Sequence, residues 1–179
     1  ADISEYNSAA ATDYNDHLIA INQLNEMRNY QMQIRLELAA ARQETDAFEA
    51  LDHIDKVRSA IFQVDNLLQA YGERNISAEE KKLFDAFVSA RLNFGRTGVL
   101  PLIDLLQAEK LTQADSLRKD VLDPAYKKAS QGIDNLIQYQ IENAKKEYER
   151  VTGLTKKIRI ASIASIVVGL TLSVLFGIV

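Results

Sequence analysis

Residues 129–151 read ASQGIDNLIQYQIENAKKEYERV, and residues 160–179 read IASIASIVVGLTLSVLFGIV. In the first segment Ala129, Ile133, Leu136, Gln140, Ala144, Tyr148 and Val151 recur three, four or seven residues apart. That places them on one face of an α-helix and predicts a helix packed into a bundle. In the second segment twenty residues pass without a charge, and at 1.5 Å per residue they cover roughly the 30 Å hydrocarbon core of a bilayer. Between the two, Gly153 is a soft point, and Lys156, Lys157 and Arg159 suit a membrane interface. The stretch from Thr112 onward is therefore expected to be one nearly unbroken helix, with residues 1–158 a helical domain and 159–179 a transmembrane helix.

Upstream the same pattern repeats. No glycine or proline occurs before Gly72, and Ala, Leu, Gln, Glu and Arg, all good helix formers, dominate. A first helix is predicted from about Ser4 to Glu44, with Leu24, Met27, Gln31, Ile34, Leu38 and Ala41 as its seam. Thr45 is expected to cap a second helix over about Asp46–Tyr71, with Leu51, Ile54, Val57, Ile61, Val64, Leu68 and Tyr71 inward and Gly72 as a left-handed stop. Ser77 followed by Glu80 forms a capping box that opens a third helix reaching about Lys110. Its stripe is Phe84, Phe87, Arg91, Phe94, Leu102 and Leu105, and Thr112 is expected to cap the fourth helix. Short connections make neighbours antiparallel. The fold class is all-α: an up-down-up-down four-helix bundle followed by a transmembrane helix. The first and fourth helices outrun the middle pair, so a further transmembrane helix is expected upstream of Ala1, and the sequence is expected to be a piece of a longer chain.

Composition narrows the function. The chain has 179 residues and a net charge of −4, which opposes a broad nucleic-acid footprint. Cysteine is absent, so neither disulfides nor thiolate metal sites can form. His17 and His53 fall on different helices, no Glu-x-x-His motif is present, and there is no P-loop, Rossmann glycine motif or nucleophile elbow. The reading is a non-enzymatic protein without cofactor or metal.

The arginines ask for an explanation. Arg28, Arg35 and Arg42 stand seven apart on the first helix, each flanking the seam. They either pair with a neighbouring helix or form an anion-binding stripe. Arg91 falls on a stripe position between Phe87 and Phe94, where a buried guanidinium needs a carboxylate partner or a bound anion. Arg58 and Arg96 are weaker candidates. Gly95, Gly98 and Pro101 on the third helix and Pro124 on the fourth lie at comparable heights, where prolines are expected to kink their helices and open a gap. With no acidic cluster expected at that height, the gap reads as a pocket for a small carboxylate, with two or three carboxyl groups favoured.

Tyr14-Asn15-Asp16-His17-Leu18, Gln33-Ile34-Arg35-Leu36-Glu37-Leu38, Leu105-Leu106-Gln107, Thr112-Gln113-Ala114-Asp115 and Pro124 follow in an order and spacing that covers the whole chain. In this the chain resembles the periplasmic four-helix-bundle sensor domain of bacterial methyl-accepting chemotaxis proteins. The resemblance implies a receptor of the inner (cytoplasmic) membrane with its bundle in the periplasm, homodimeric, controlling a cytoplasmic histidine kinase through displacement of the fourth helix. Of the positions that hold aspartate in some members, Arg35 matches, but Ala40, Glu44 and Ala125 do not, so that site is not intact. The resemblance points instead to another organic acid held by Arg35 with Arg58, Arg91 or Arg96, and with the Tyr126 hydroxyl. Two other readings stay open: a tail-anchored, syntaxin-like helical protein in which Gln140 serves as the central glutamine, and a sensor whose ligand is a protein.

Overall fold

The structure is a computed structural model that describes the backbone of residues 3–176 and the side chains of residues 12, 14–150, 152 and 153. The first two helices are α1 (Ile3–Gln43) and α2 (Ala47–Gly72). The third rod is α3 (Ala78–Asn93), a π turn (Phe94–Val99) and α4 (Leu100–Gln107). The fourth is α5 (Leu111–Leu117), a second π turn (Arg118–Leu122) and α6 (Asp123–Phe176). Among the residues whose side chains are described no helix is long and apolar enough to cross a membrane; the backbone of α6 runs on to Phe176, but the side chains of the span expected over 159–179 lie outside those residues.

Residues 19–140 make one compact unit, the four-helix bundle. Residues 1–18 with 141–179 make a second, in which Ala144 is buried and Arg150 donates to Glu147. The core of the first unit is divided in two. One cluster gathers Ile34, Leu38, Ile54, Val57, Phe94, Val99, Leu102 and Leu122; the other gathers Leu24, Met27, Tyr71, Phe87, Ile133 and Leu136. On α1 the division falls between Met27 and Ile34, at Gln31; on the third rod it falls between Phe87 and Phe94, at Arg91.

The expected helix ends are partly revised. Ser77 caps α3, its hydroxyl accepting from the Glu80 amide at 3.1 Å. The cap of α2 is Asp46 rather than Thr45, its carboxylate accepting from the Phe48 amide at 2.7 Å, because aspartate carries the stronger acceptor one residue nearer the first turn. Thr112 is not a cap; that role falls to Lys110, without a side-chain bond. Gly72 does not turn left-handed. Among the described residues the left-handed one is Glu109, at φ 57°. There the Lys110 amide donates to Leu105 and the Glu109 amide to Leu106, closing α4 as a Schellman motif. Leu51 and Tyr148, placed on buried stripes by periodicity, are exposed.

The prolines do not break their helices. A proline has no amide hydrogen and its ring strikes the carbonyl four residues back. Pro101 and Pro124 each stand two residues past a π turn, where the Leu100 amide donates to Gly95 and the Asp123 amide to Arg118, five residues back. Opening the ladder by one residue lets the rod pass the ring. It also shifts the apolar phase: beyond the first π turn the buried residues are Leu102, Ile103 and Leu106, with Leu105 only partly covered. The two π turns touch, a β-carbon built on Gly98 lying 3.1 Å from the Leu122 α-carbon.

Candidate ligand site

Heptad spacing on α1 gives each flanking arginine a partner on the fourth rod. Arg28 pairs with Asp134, Arg35 with Asp123 at 3.1 Å, and Arg42 with Asp115 at 2.8 Å. The arginines are evenly spaced but their partners are not: Asp115 and Asp123 are eight apart across the second π turn, Asp123 and Asp134 eleven apart along α6. Arg42 binds both oxygens of Asp115. That hydrogen bond holds the aspartate below, and the arginine above, its usual pKa. The expectation that no carboxylates oppose the arginines is thus overturned. The pairing reading holds for this stripe, and the case for a ligand with two or three carboxyl groups loses its charge argument.

The five candidate residues separate into three places. Arg58 is exposed and pairs with Asp55 of its own helix at 2.8 Å; it lines neither the hollow beside Arg35 nor the one beside Arg91 and Arg96. Arg35 lies over the Tyr126 ring, 4.5 Å from its centroid, and Tyr126 meets Phe94 edge-on at 5.7 Å. Arg35 thus links α1 to α6 beside a crevice of about 120 Å³ that Arg118 and Asp123 also line. Arg91 and Arg96 line a third place, a cavity of about 190 Å³ beside the first π turn.

That cavity sits where the core divides. Its remaining walls include Gln31 and Ile34 of α1, Ile61 of α2, and Phe94, Val99 and Leu100 of the third rod. Arg91 contacts Asp65 of α2 at 2.7 Å, and its side chain is 13% exposed. Burial lowers its pKa from the ordinary arginine value, with Asp65 opposing that shift. Arg96 is exposed, and among the described residues it makes no ion pair. Gln31 is 1% exposed, and neither its amide nitrogen nor its oxygen has a hydrogen-bond partner.

A second set of buried polar groups, Tyr71, Glu80 and Gln140, bonds among itself. The Tyr71 hydroxyl donates to Glu80 at 2.7 Å, and the Gln140 amide donates to both Glu80, at 2.6 Å, and Tyr71, at 2.8 Å. Arg74 approaches the same carboxylate at 3.6 Å and lies over the Tyr71 ring. Burial first, and the Glu80 bond second, push the Tyr71 hydroxyl well above its usual pKa. Gln140 is therefore a register-fixing residue of α6. His53 lies between Glu37, at 2.6 Å, and Glu44, at 3.7 Å, joining α2 to α1.

Sequence reasoning counted Gln31 among seam residues and passed over it. Its signal was a polar side chain at a seam position, level with Arg91 across the bundle. Among known families, a model described as a four helix bundle sensory module for signal transduction matches residues 2–152. No curated protein and no solved structure matches the chain.

Proposed function

Because the chain belongs to the four helix bundle sensory modules for signal transduction, we propose that it is the extracytoplasmic sensor of a transmembrane chemotaxis receptor and binds a small organic acid. In this reading residues 1–158 are the periplasmic sensor domain and 159–179 span the inner membrane. A homodimer passes the signal to a cytoplasmic histidine kinase. One observation carries the ligand reading: Arg91 and Arg96 line a cavity against one of two π turns that touch each other. π turns are frequent at functional sites. A ligand at the first can bias the second, and with it α6, only by binding two arrangements with different affinity. Shifts of about 1–2 Å are sufficient for such coupling. Arg35, between Asp123 and Tyr126, is the link from α1 to the moving rod.

Calorimetry on the full chain in lipid nanodiscs, with a panel of organic acids, amino acids and cationic amines, tests this. Acids bind, and Arg91→Ala lowers their affinity at least tenfold, since a charge-assisted hydrogen bond contributes about 1.5–3 kcal/mol. Arg35→Ala leaves affinity unchanged and weakens the response. Loss of binding in Arg35→Ala with retention in Arg91→Ala would move the site to the α1–α6 crevice; binding of cations alone would end the acid reading.

The dimer has its own support. Met32 and Leu36 of α1, one turn apart, are exposed although apolar, a face that a second α1 would cover. Sedimentation equilibrium of the nanodisc-free chain in detergent is expected to show a monomer–dimer equilibrium that Leu36→Glu shifts to monomer. A parent chain monomeric at every concentration reached would count against the dimer.

A further inference from the structure

The cavity holds an unusual polar group. Gln31 stands at the division of the core with both ends of its amide buried and unpartnered. An unpaired buried amide is costly, and a leucine of similar size would fill the seam without that cost. A site that retains such a group is built to present a donor and an acceptor to something else. Around it lie apolar surfaces from Ile34, Ile61, Phe94 and Val99, with Arg91 and Arg96 supplying positive charge to the lining. The volume, about 190 Å³, equals roughly six waters at about 30 Å³ each, enough for a single ring or a short branched chain.

We infer that this cavity binds a small carboxylate with an apolar body and a hydroxyl next to the carboxyl group: an aryl or branched-alkyl 2-hydroxy monocarboxylate. The carboxylate meets Arg91, whose guanidinium has donors beyond the one directed at Asp65, and Arg96. Both polar atoms of Gln31 are closed off in this conformation, so the side chain turns toward the ligand, its oxygen accepting from the ligand hydroxyl and its amide donating back. The ring or branched chain covers Phe94 and Ile61. A second or third carboxylate has no place, because it would be set against apolar walls with Asp65 already beside Arg91. The inference rests on the organic-acid reading above and specifies its ligand.

Mandelate, 2-hydroxyisovalerate, phenylacetate, succinate and citrate are the probes, titrated into the full chain in nanodiscs. Mandelate or 2-hydroxyisovalerate binds, and phenylacetate, which lacks the hydroxyl, binds about three- to tenfold more weakly than mandelate, the worth of one neutral hydrogen bond. Gln31→Leu reduces mandelate to the level of phenylacetate. At the same time it raises the melting temperature of the unliganded chain by about 2–4 °C, because the unpaired amide is gone. A purely structural glutamine would lower that temperature on replacement. Unchanged mandelate affinity in Gln31→Leu, or a fall in its melting temperature, overturns the inference. Binding confined to succinate or citrate overturns it while leaving the organic-acid sensor standing; absence of binding by every acid removes both.

Discussion

Glu80→Ala is expected to lower the stability of the bundle by about 3–5 kcal/mol, the loss typical of removing one partner from a buried charged pair. The carboxylate accepts from Tyr71 and Gln140 and faces Arg74. Without it the Tyr71 hydroxyl loses its acceptor, the Gln140 amide loses the shorter of its two bonds, and Arg74 loses the carboxylate it approaches. At about 2–4 °C per kcal/mol for a chain of this size, the melting temperature followed by circular dichroism drops by about 10 °C. Glu80→Gln retains an acceptor oxygen and should recover most of that loss. A Glu80→Ala melting curve superimposable on the parent's would show that the three rods are held by apolar contact alone.

Gly98→Val should cost about 1–3 kcal/mol through overpacking. Its β-carbon would stand 3.1 Å from both the α-carbon and a methyl of Leu122, and a backbone atom cannot swing aside. Gly95, in the same π turn, has nothing within 4 Å of where a β-carbon would stand, so Gly95→Ala should be stabilising by roughly 0.5–1 kcal/mol, as for other helical glycines. The two substitutions share a backbone setting and differ in what they meet. Urea melts that move both midpoints in the same direction would mean that the contact between π turns does not constrain the rods.

The bundle was legible because its helices are long and their apolar periods regular: Leu24, Met27, Ile34 and Leu38 on α1 and Ile133 and Leu136 on α6 are buried as the spacing requires. Ser77 was legible as a cap because its chemistry is local. The shift from Leu105 to Leu106 was not, since a proline announces a disturbance without saying whether the helix bends or widens. Nor were the aspartate partners of Arg28, Arg35 and Arg42. Which residue faces which across two rods depends on their register and on side-chain reach, which neither sequence carries locally. The cavity followed the same limit: Gln31 and Arg91 each stood out as polar residues on apolar stripes, but only the register between α1 and the third rod brings them to one wall.

The extra residue in each π turn also sets a rule for splicing this bundle to another. An α-helix turns by about 100° per residue, so a hybrid that joins foreign sequence across Phe94–Val99 or Arg118–Leu122 in ordinary helical count delivers everything beyond the seam rotated by about that angle. At the second of these joins Arg42 would then lose Asp115 while Arg35 kept Asp123, or the reverse, according to the side of the join. Chimaeras cut in α2 or within the uninterrupted part of α6 escape this penalty, whereas those cut between Asn93 and Pro101, or between Leu117 and Pro124, must carry the donor's whole segment.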